Sequence, residues 1–221
     1  MNKILLLILI SFSILKDSIL IGDSRIAEIA SVLFELEDSY YSYRYSPFYS
    51  PITQSPVAYE DFSIQVSTVE KVEHIYLDTT PNEVVHNHLR DAKPGTNVLI
   101  NLGLKSLDSL EDIIIFSGKL ADKYYKLNFY FVSIIGVDET KCSISNSSIR
   151  EFNKLMENRL IDLEFANFKY KNILSEGDPT QIILDGKPFD ILKFTTDGMG
   201  FYRNGLTRIF NSMVEGLEFE S

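Results

Sequence analysis

Short apolar runs alternate with segments of helical periodicity along most of the chain. Residues 18–21 (SILI) form the first apolar run, which ends at Gly22. From Ile26 to Leu36 the apolar residues then recur every three or four positions. An uninterrupted apolar run followed by 3.6-residue periodicity is typical of a buried strand and an amphipathic helix. The pattern therefore predicts a strand, a tight turn and a helix.

Two further strand-to-helix units follow. Residues 97–102 (NVLINL) come after the turn signal Lys93-Pro94-Gly95 and precede a helical pattern over residues 107–125. Residues 127–134 (LNFYFVSI) are nearly all apolar, as in a strand covered on both faces, and residues 148–160 supply the next helix. Alternating strands and helices build a parallel sheet through right-handed crossovers. The predicted fold class is therefore α/β, with helices on both sides of the sheet.

Other segments depart from this alternation. Residues 40–59 hold six of the twelve tyrosines and three prolines, which indicates a long irregular segment. Its rings either form a platform for a carbohydrate or a partner, or pack onto their own domain. Turn signals in residues 170–194 predict a hairpin or loop, and further helices are predicted over residues 81–91 and 204–214.

The first residues resemble a secretory signal peptide. One lysine, Lys3, precedes an apolar run over residues 4–15, which is too short for a membrane-spanning helix of about 20 residues. Ser11-Phe12-Ser13 has the small-x-small form of a cleavage site, so we expect a leader of residues 1–13, secretion, and one domain over residues 14–221. The alternative is a buried first strand or helix that is never removed.

Composition excludes several classes of function. The chain has 221 residues with 45% hydrophobic residues, enough to bury one sizeable core. A net charge of −10, from 21 Lys and Arg against 31 Asp and Glu, repels phosphate backbones, so no nucleic-acid partner is predicted. Cys142 is the only cysteine, and the sequence has no Cys/His cluster. We therefore predict no metal and no cofactor, while the oligomeric state stays open.

Gly22-Asp23-Ser24-Arg25 places a serine at the turn between the first strand and its helix. In an open α/β sheet this turn lies at the carboxyl edge, where ligands bind. The backbone N–H of Ser24 would also point toward an oxyanion there, with the helix dipole behind it. The alternative is that Asp23 or Ser24 simply caps the helix.

Three segments, in order, carry a resemblance to a known family. ILIGDSR at residues 19–25 resembles the first sequence block of the SGNH (GDSL-type) hydrolases. VLINLGLKSL at residues 98–107 resembles the third block, which normally reads Gly-x-Asn-Asp, and FTTDGMGFY at residues 194–202 resembles the last, which normally reads Asp-Gly-x-His and an aromatic residue. The resemblance implies a three-layer α/β/α sandwich with a mainly parallel sheet, and esterase chemistry.

The chain departs from the family pattern at positions that are catalytic or form the oxyanion hole in the family. The family uses a serine nucleophile, a histidine base and an aspartate three residues before that histidine. Ser24 matches the nucleophile and Asp197 the aspartate, but Gly200 stands in the place of the histidine. Lys105 and Ser106 replace the third-block Asn and Asp. The glycine of the second block is also missing, since no glycine occurs at residues 23–94.

Two hypotheses for the function remain. Removing the base of a serine triad costs on the order of a million-fold in turnover, so the first is a secreted pseudoenzyme that keeps, at most, a pocket for a small acyl ester or glycan. The alternative is an active serine esterase or O-acyl hydrolase in which Ser24 uses an unorthodox base. Lys105 is the candidate base, if burial favours its neutral form. Asp197, with a reference pKa of about 3.9, is a poor base.

The three histidines, His74, His86 and His88, are each predicted to be structural, because isolated histidines usually are. None is assigned a catalytic role.

Overall fold

A computed structural model of the chain describes residues 16–33, 57–59, 62–68, 76–77, 80–81 and 83–217. These residues form strands and helices in the following order: β1 (Lys16–Gly22), α1 (Ser24–Leu33), β2 (Val57–Tyr59), β3 (Phe62–Thr68), β4 (Tyr76–Leu77), β5 (Thr80–Pro81), α2 (Glu83–Asp91), β6 (Asn97–Asn101), α3 (Leu110–Lys123), β7 (Asn128–Val132), α4 (Asn146–Leu163), β8 (Phe168–Lys171), β9 (Leu174–Ser175), β10 (Asp178–Leu184), β11 (Lys187–Asp190), a 3-10 helix (Ile191–Phe194) and α5 (Arg203–Val214).

The main sheet has six strands in the order β2-β3-β1-β6-β7-β8. Adjacent strands in the series β3-β1-β6-β7-β8 pair in parallel. At one edge, β2 pairs with β3 in antiparallel orientation. The predicted α/β class with a parallel sheet is therefore confirmed. The prediction of an irregular segment over residues 40–59 is wrong for Val57–Tyr59, which form the edge strand β2. Residues 40–56 lie outside the described part of the chain.

The central strands are buried on both faces. In β1, Ile19 and Ile21 belong to one buried cluster and Leu20 to another, and β6 alternates in the same way. The first cluster also contains residues of α2, α3 and α4, and the second contains residues of α1 and α5. Each buried aliphatic or aromatic side chain stabilises the fold by about 1.5–3 kcal/mol. This two-sided burial explains why the strands read as continuous apolar runs.

A small antiparallel sheet, β9-β10-β11, lies between β8 and the last helix in the sequence. The hairpin predicted within residues 170–194 is thereby confirmed. The turn between β10 and β11 contains Asp185 and Gly186, both exposed and both with positive φ, at 50° and 69°. The chain then passes through the 3-10 helix and a loop to α5.

Within the described ranges, no helix combines the length and apolar character that crossing a bilayer requires. The expected leader over residues 1–13 lies outside those ranges, and so does its cleavage site at Ser13.

Candidate functional site

The turn from β1 into α1 depends on the absence of a side chain at Gly22. A β-carbon at this residue would lie 2.1 Å from the carbonyl oxygen of Asn101 and 2.5 Å from Cγ1 of Ile26. Neither approach is possible for a real side chain, so only glycine allows β1, β6 and α1 to meet this closely. Asn101 ends β6, so Ser24 is fixed at the carboxyl edge of the sheet.

The hydroxyl of Ser24 has no hydrogen-bond partner among the described residues, and the side chain is partly exposed. Asp23 caps the helix instead. Its carboxylate accepts a hydrogen bond from the backbone N–H of Arg25 at 3.1 Å, and its carbonyl oxygen accepts one from Ala27 at 3.1 Å. The capping alternative thus applies to Asp23 and leaves the Ser24 hydroxyl available for chemistry.

Asp23 is buried beside the serine. Burial raises the pKa of its carboxyl group above the ordinary value. Backbone hydrogen bonds from Arg25 and Gly103 and the charges of Arg25 and Lys105 oppose this rise. Asp23 therefore connects the turn to Gly103, the glycine within the segment at residues 98–107.

Arg25 is also buried, and its guanidinium is occupied by backbone carbonyl oxygens. Nη1 donates to Ile135, Nη2 to Gly136 at 2.8 Å, and Nε to Met199 at 3.4 Å. The guanidinium also lies over the ring of Phe201, 5.2 Å from its centroid. Burial lowers the pKa of Arg25 to about 10. Arg25 therefore holds the segment after β7 and the loop before α5 against the start of α1.

Two asparagines fix the segment that follows β7. The amide of Asn153 pairs with both the N–H and the carbonyl oxygen of Ile134, each at 2.8 Å. The amide of Asn146 does the same for Val137, at 2.8 and 2.9 Å. The two amide side chains supply the hydrogen bonds that a neighbouring strand would otherwise make with this backbone. The segment beside Arg25 is thereby held in place.

Asp197 organises the loop before α5. Its Oδ1 accepts hydrogen bonds from the N–H groups of Gly200 at 2.7 Å and Met199 at 3.1 Å, and from the Thr196 hydroxyl at 3.4 Å. These bonds, that from Gly200 above all, lower the pKa of its carboxyl group. A carboxylate with a low pKa that is already engaged by backbone donors has little affinity for a serine proton.

Glu28 joins this site, although the sequence-based reasoning did not single it out. Its Oε2 accepts a hydrogen bond from the N–H of Phe201 at 3.2 Å. Its Oε1 lies 3.1 Å from the position that a β-carbon would take at Gly200. Burial raises the pKa of Glu28 to about 7. The available signal was its position four residues after Ser24, on a helix otherwise apolar toward the core.

The charges around Glu28 act in both directions on its pKa. The negative charges of Asp197 and Asp23 raise it further, and the positive charge of Arg25 and the Phe201 hydrogen bond oppose the rise. Lys105 is exposed, and its charge acts on Asp23. The burial on which the Ser24–Lys105 alternative depends is not found.

The described histidines lie on α2, away from Ser24. Nδ1 of His86 contacts the hydroxyl of Tyr124, which follows the end of α3 near the amino edge of the sheet. His88 is buried, and burial lowers its pKa. His74 lies outside the described residues. Over the described ranges, no group of three or more His, Cys, Asp or Glu side chains could hold a metal ion.

No family model and no curated protein matches this chain. Among solved structures, it is similar to a candidate platelet activating factor from Streptococcus pneumonia, with 14% identity and a TM-score of 0.57 over 89% of this chain and 81% of that one. It is also similar to a mutant of Axe2, an acetyl-xylooligosaccharide esterase from Geobacillus, with 10% identity and a TM-score of 0.50 over 93% and 97% of the two chains. At these identities the likeness concerns the fold alone, an α/β fold with a mainly parallel sheet.

Proposed function

We propose that this protein is a divergent SGNH-type hydrolase with a three-layer α/β/α sandwich, which hydrolyses small acyl esters or acyl groups on glycans at Ser24. Its turnover is far slower than that of an enzyme with a complete triad. The two buried clusters, one on each face of the sheet, support the architecture. The three sequence blocks and the similarity to an esterase structure support the chemistry.

The presentation of Ser24 is the observation that carries the proposal. The hydroxyl stands at the carboxyl edge of the sheet, partly exposed, while Asp23 performs the capping that would otherwise occupy it. Ser24 is also the first residue of α1, so the helix dipole stabilises negative charge beside its N–H. These observations support Ser24 as the nucleophile and its N–H as one oxyanion donor.

The proposed impairment follows from the other triad positions. Gly200 supplies no base, Asp197 is held by its own loop, and Lys105 does not provide the oxyanion-hole amide of the family. Loss of one oxyanion donor alone costs roughly 100- to 1,000-fold. The engagement of Asp197 also favours a second candidate function, a pseudoenzyme that binds an acyl ester or glycan without turnover.

Location forms part of the same proposal. The Geobacillus protein is an esterase of acetylated oligosaccharides, and an extracellular acylated glycan would suit a secreted relative of that fold. We propose that the leader over residues 1–13 directs this chain into the secretory pathway and is removed near Ser13.

Hydrolysis of p-nitrophenyl acetate by the wild type and by Ser24→Ala tests the function. The wild type should exceed the variant, because the ester must be attacked by the Ser24 hydroxyl. Ser143→Ala, an exposed serine in a loop, is the matched control and should keep the wild-type rate. Equal rates for wild type and Ser24→Ala would overturn the hydrolase proposal and leave the ligand-binding candidate.

A further inference from the structure

Glu28 and Gly200 face each other between α1 and the loop before α5. The position that a β-carbon would take at Gly200 lies 3.1 Å from Oε1 of Glu28 and 3.2 Å from Oδ1 of Asp197. The resemblance described above implies that a family member's histidine side chain would begin at this point. In this chain the carboxylate of Glu28 lies against that position, closer than an ordinary van der Waals contact.

Glu28 also lies on the same face of α1 as Ser24. Residues four apart on a helix have β-carbons about 5–6 Å from each other, so their side chains are neighbours. The glutamate side chain is long enough to approach the serine hydroxyl directly or through one water molecule, which is the reach that a general base needs. The hydrogen bond from the Phe201 N–H is accepted by Oε2, and Oε1 lies on the side of Gly200.

The surroundings distinguish Glu28 from Asp197 as an acceptor of protons. Glu28 accepts a backbone hydrogen bond from Phe201, and burial raises its pKa to about 7. Asp197 accepts backbone hydrogen bonds from two N–H groups, and its pKa is lowered. A base whose pKa lies near the working pH combines a substantial ionised fraction with affinity for the proton.

We propose that Glu28 replaces the missing histidine as the general base of Ser24, an inference that rests on the hydrolysis proposed above. Its carboxylate takes the Ser24 proton as Oγ bonds to the ester carbonyl carbon. Protonated Glu28 then gives that proton to the leaving alkoxide as the ester C–O bond breaks. In the second half, Glu28 takes a proton from water as the water oxygen bonds to the acyl carbon, and returns it to Ser24 Oγ as the acyl bond breaks.

The test compares Glu28→Gln, Glu28→Asp and the matched control Glu151→Gln, an exposed glutamate on α4. Removing a general base lowers the rate about 100- to 10,000-fold, so Glu28→Gln should lose at least 100-fold of the Ser24-dependent hydrolysis. The wild-type rate should rise with pH through about 7 and then level off. Glu28→Gln should lack this inflection, Glu28→Asp should keep an inflection at a reduced rate, and the control should match the wild type.

Two readouts separate the inference from the proposed function. Phosphorylation of Ser24 by diisopropyl fluorophosphate, with loss of fluoride, is detected by mass spectrometry and needs the activated hydroxyl but no ester turnover. If Ser24 is labelled in the wild type but not in Glu28→Gln, and neither protein hydrolyses the ester, Glu28 remains the base and the proposed hydrolysis is overturned. Hydrolysis with an unchanged pH profile in Glu28→Gln would keep the function and overturn the role of Glu28. A uniform loss of rate at all pH values, with the inflection retained, would make Glu28 structural and also overturn its role as base.

Discussion

The guanidinium of Arg25 donates a hydrogen bond to the carbonyl oxygen of Gly136 at 2.8 Å, across a sequence separation of 111 residues. This bond and that to Ile135 attach the first helix to the rigid segment after β7. Nε of Arg25 also donates to the carbonyl oxygen of Met199 at 3.4 Å, so Arg25 connects residues 19–25 with residues 194–202, two of the three segments that carry the family resemblance.

Replacing Arg25 with methionine should destabilise the protein strongly. The substitution leaves buried carbonyl oxygens of Ile135 and Gly136 without their donor, and each unsatisfied buried acceptor costs about 1–3 kcal/mol. We expect the free energy of unfolding, from urea titration, to fall by about 3 kcal/mol. Arg90→Met is the control, because its pair with Asp91 is exposed to solvent and contributes little to stability. Similar losses in the two variants would contradict the role of Arg25.

Glu28→Gln should stabilise the protein at neutral pH while it removes activity. The folded-state pKa of Glu28 is raised from 4.5 to about 7. The contribution of Glu28 to wild-type stability is therefore fully present below about pH 4.5 and is lost as the pH rises through about 7. The shift corresponds to at most about 3.5 kcal/mol, since one unit is about 1.4 kcal/mol. Gln should remove this dependence, because its amide oxygen still accepts from Phe201 and carries no charge.

The measurement is the difference in unfolding free energy between Glu28→Gln and wild type at several pH values. It should be near zero at pH 4 and grow in favour of the variant up to pH 8. A difference that stays constant over this range would show that Glu28 ionises normally in the folded protein.

Gly22→Ala should be the most damaging of the glycine substitutions at the site. Its β-carbon would overlap the Asn101 carbonyl, so β1 or β6 must shift at a cost of about 3 kcal/mol or more. Gly186→Ala is the comparison, since nothing lies within 4 Å of its β-carbon and only its positive φ adds a cost of about 1 kcal/mol. Thermal unfolding of both proteins decides, and an equal fall in Tm would refute the steric argument.

A histidine at position 200 should work only when Glu28 is shortened. In Gly200→His, the new β-carbon lies 3.1 Å from Glu28 Oε1, and the imidazole would stand beside two carboxylates that favour its charged form. The double variant Glu28→Ala/Gly200→His relieves both problems and should hydrolyse p-nitrophenyl acetate faster than Glu28→Ala/Gly200→Ala. No gain over that control would mean that residue 200 does not face Ser24.

The leader is tested by mass spectrometry of the protein purified from its natural source. We expect a mature chain that begins near Ile14, two residues before β1 starts at Lys16. An intact segment over residues 1–13 would instead favour the alternative of an uncleaved apolar element.

Sequence pattern predicted the elements that bury whole faces and missed those that depend on a distant partner. Periodicity located α1, α3 and α4 and the apolar strands, because burial on both sides leaves a continuous signal. The edge strand β2 escaped, since three residues among tyrosines and prolines carry no such signal. Its pairing with β3 supplies the stability that its sequence lacks.

The sequence alone predicted only part of the candidate site. Ser24, Lys105 and Asp197 were found because they occupy recognisable blocks. Glu28 was missed because its importance arises from Gly200, 172 positions later, and only the fold brings the two together. The engagement of Asp197 by its own backbone was likewise invisible, since an aspartate followed by glycine gives no sign of which N–H groups it will accept from.

The exposed Asp185–Gly186 turn offers a place to attach a reporter. The hairpin is closed by the pairing of β10 with β11, so a peptide tag added at its tip would extend into solvent. The loop that carries Asp197 begins only after β11 and the 3-10 helix, so its connection to α1 would be unaffected. A tag at this tip would therefore allow the protein to be detected without a change in the contacts between α1 and the loop before α5.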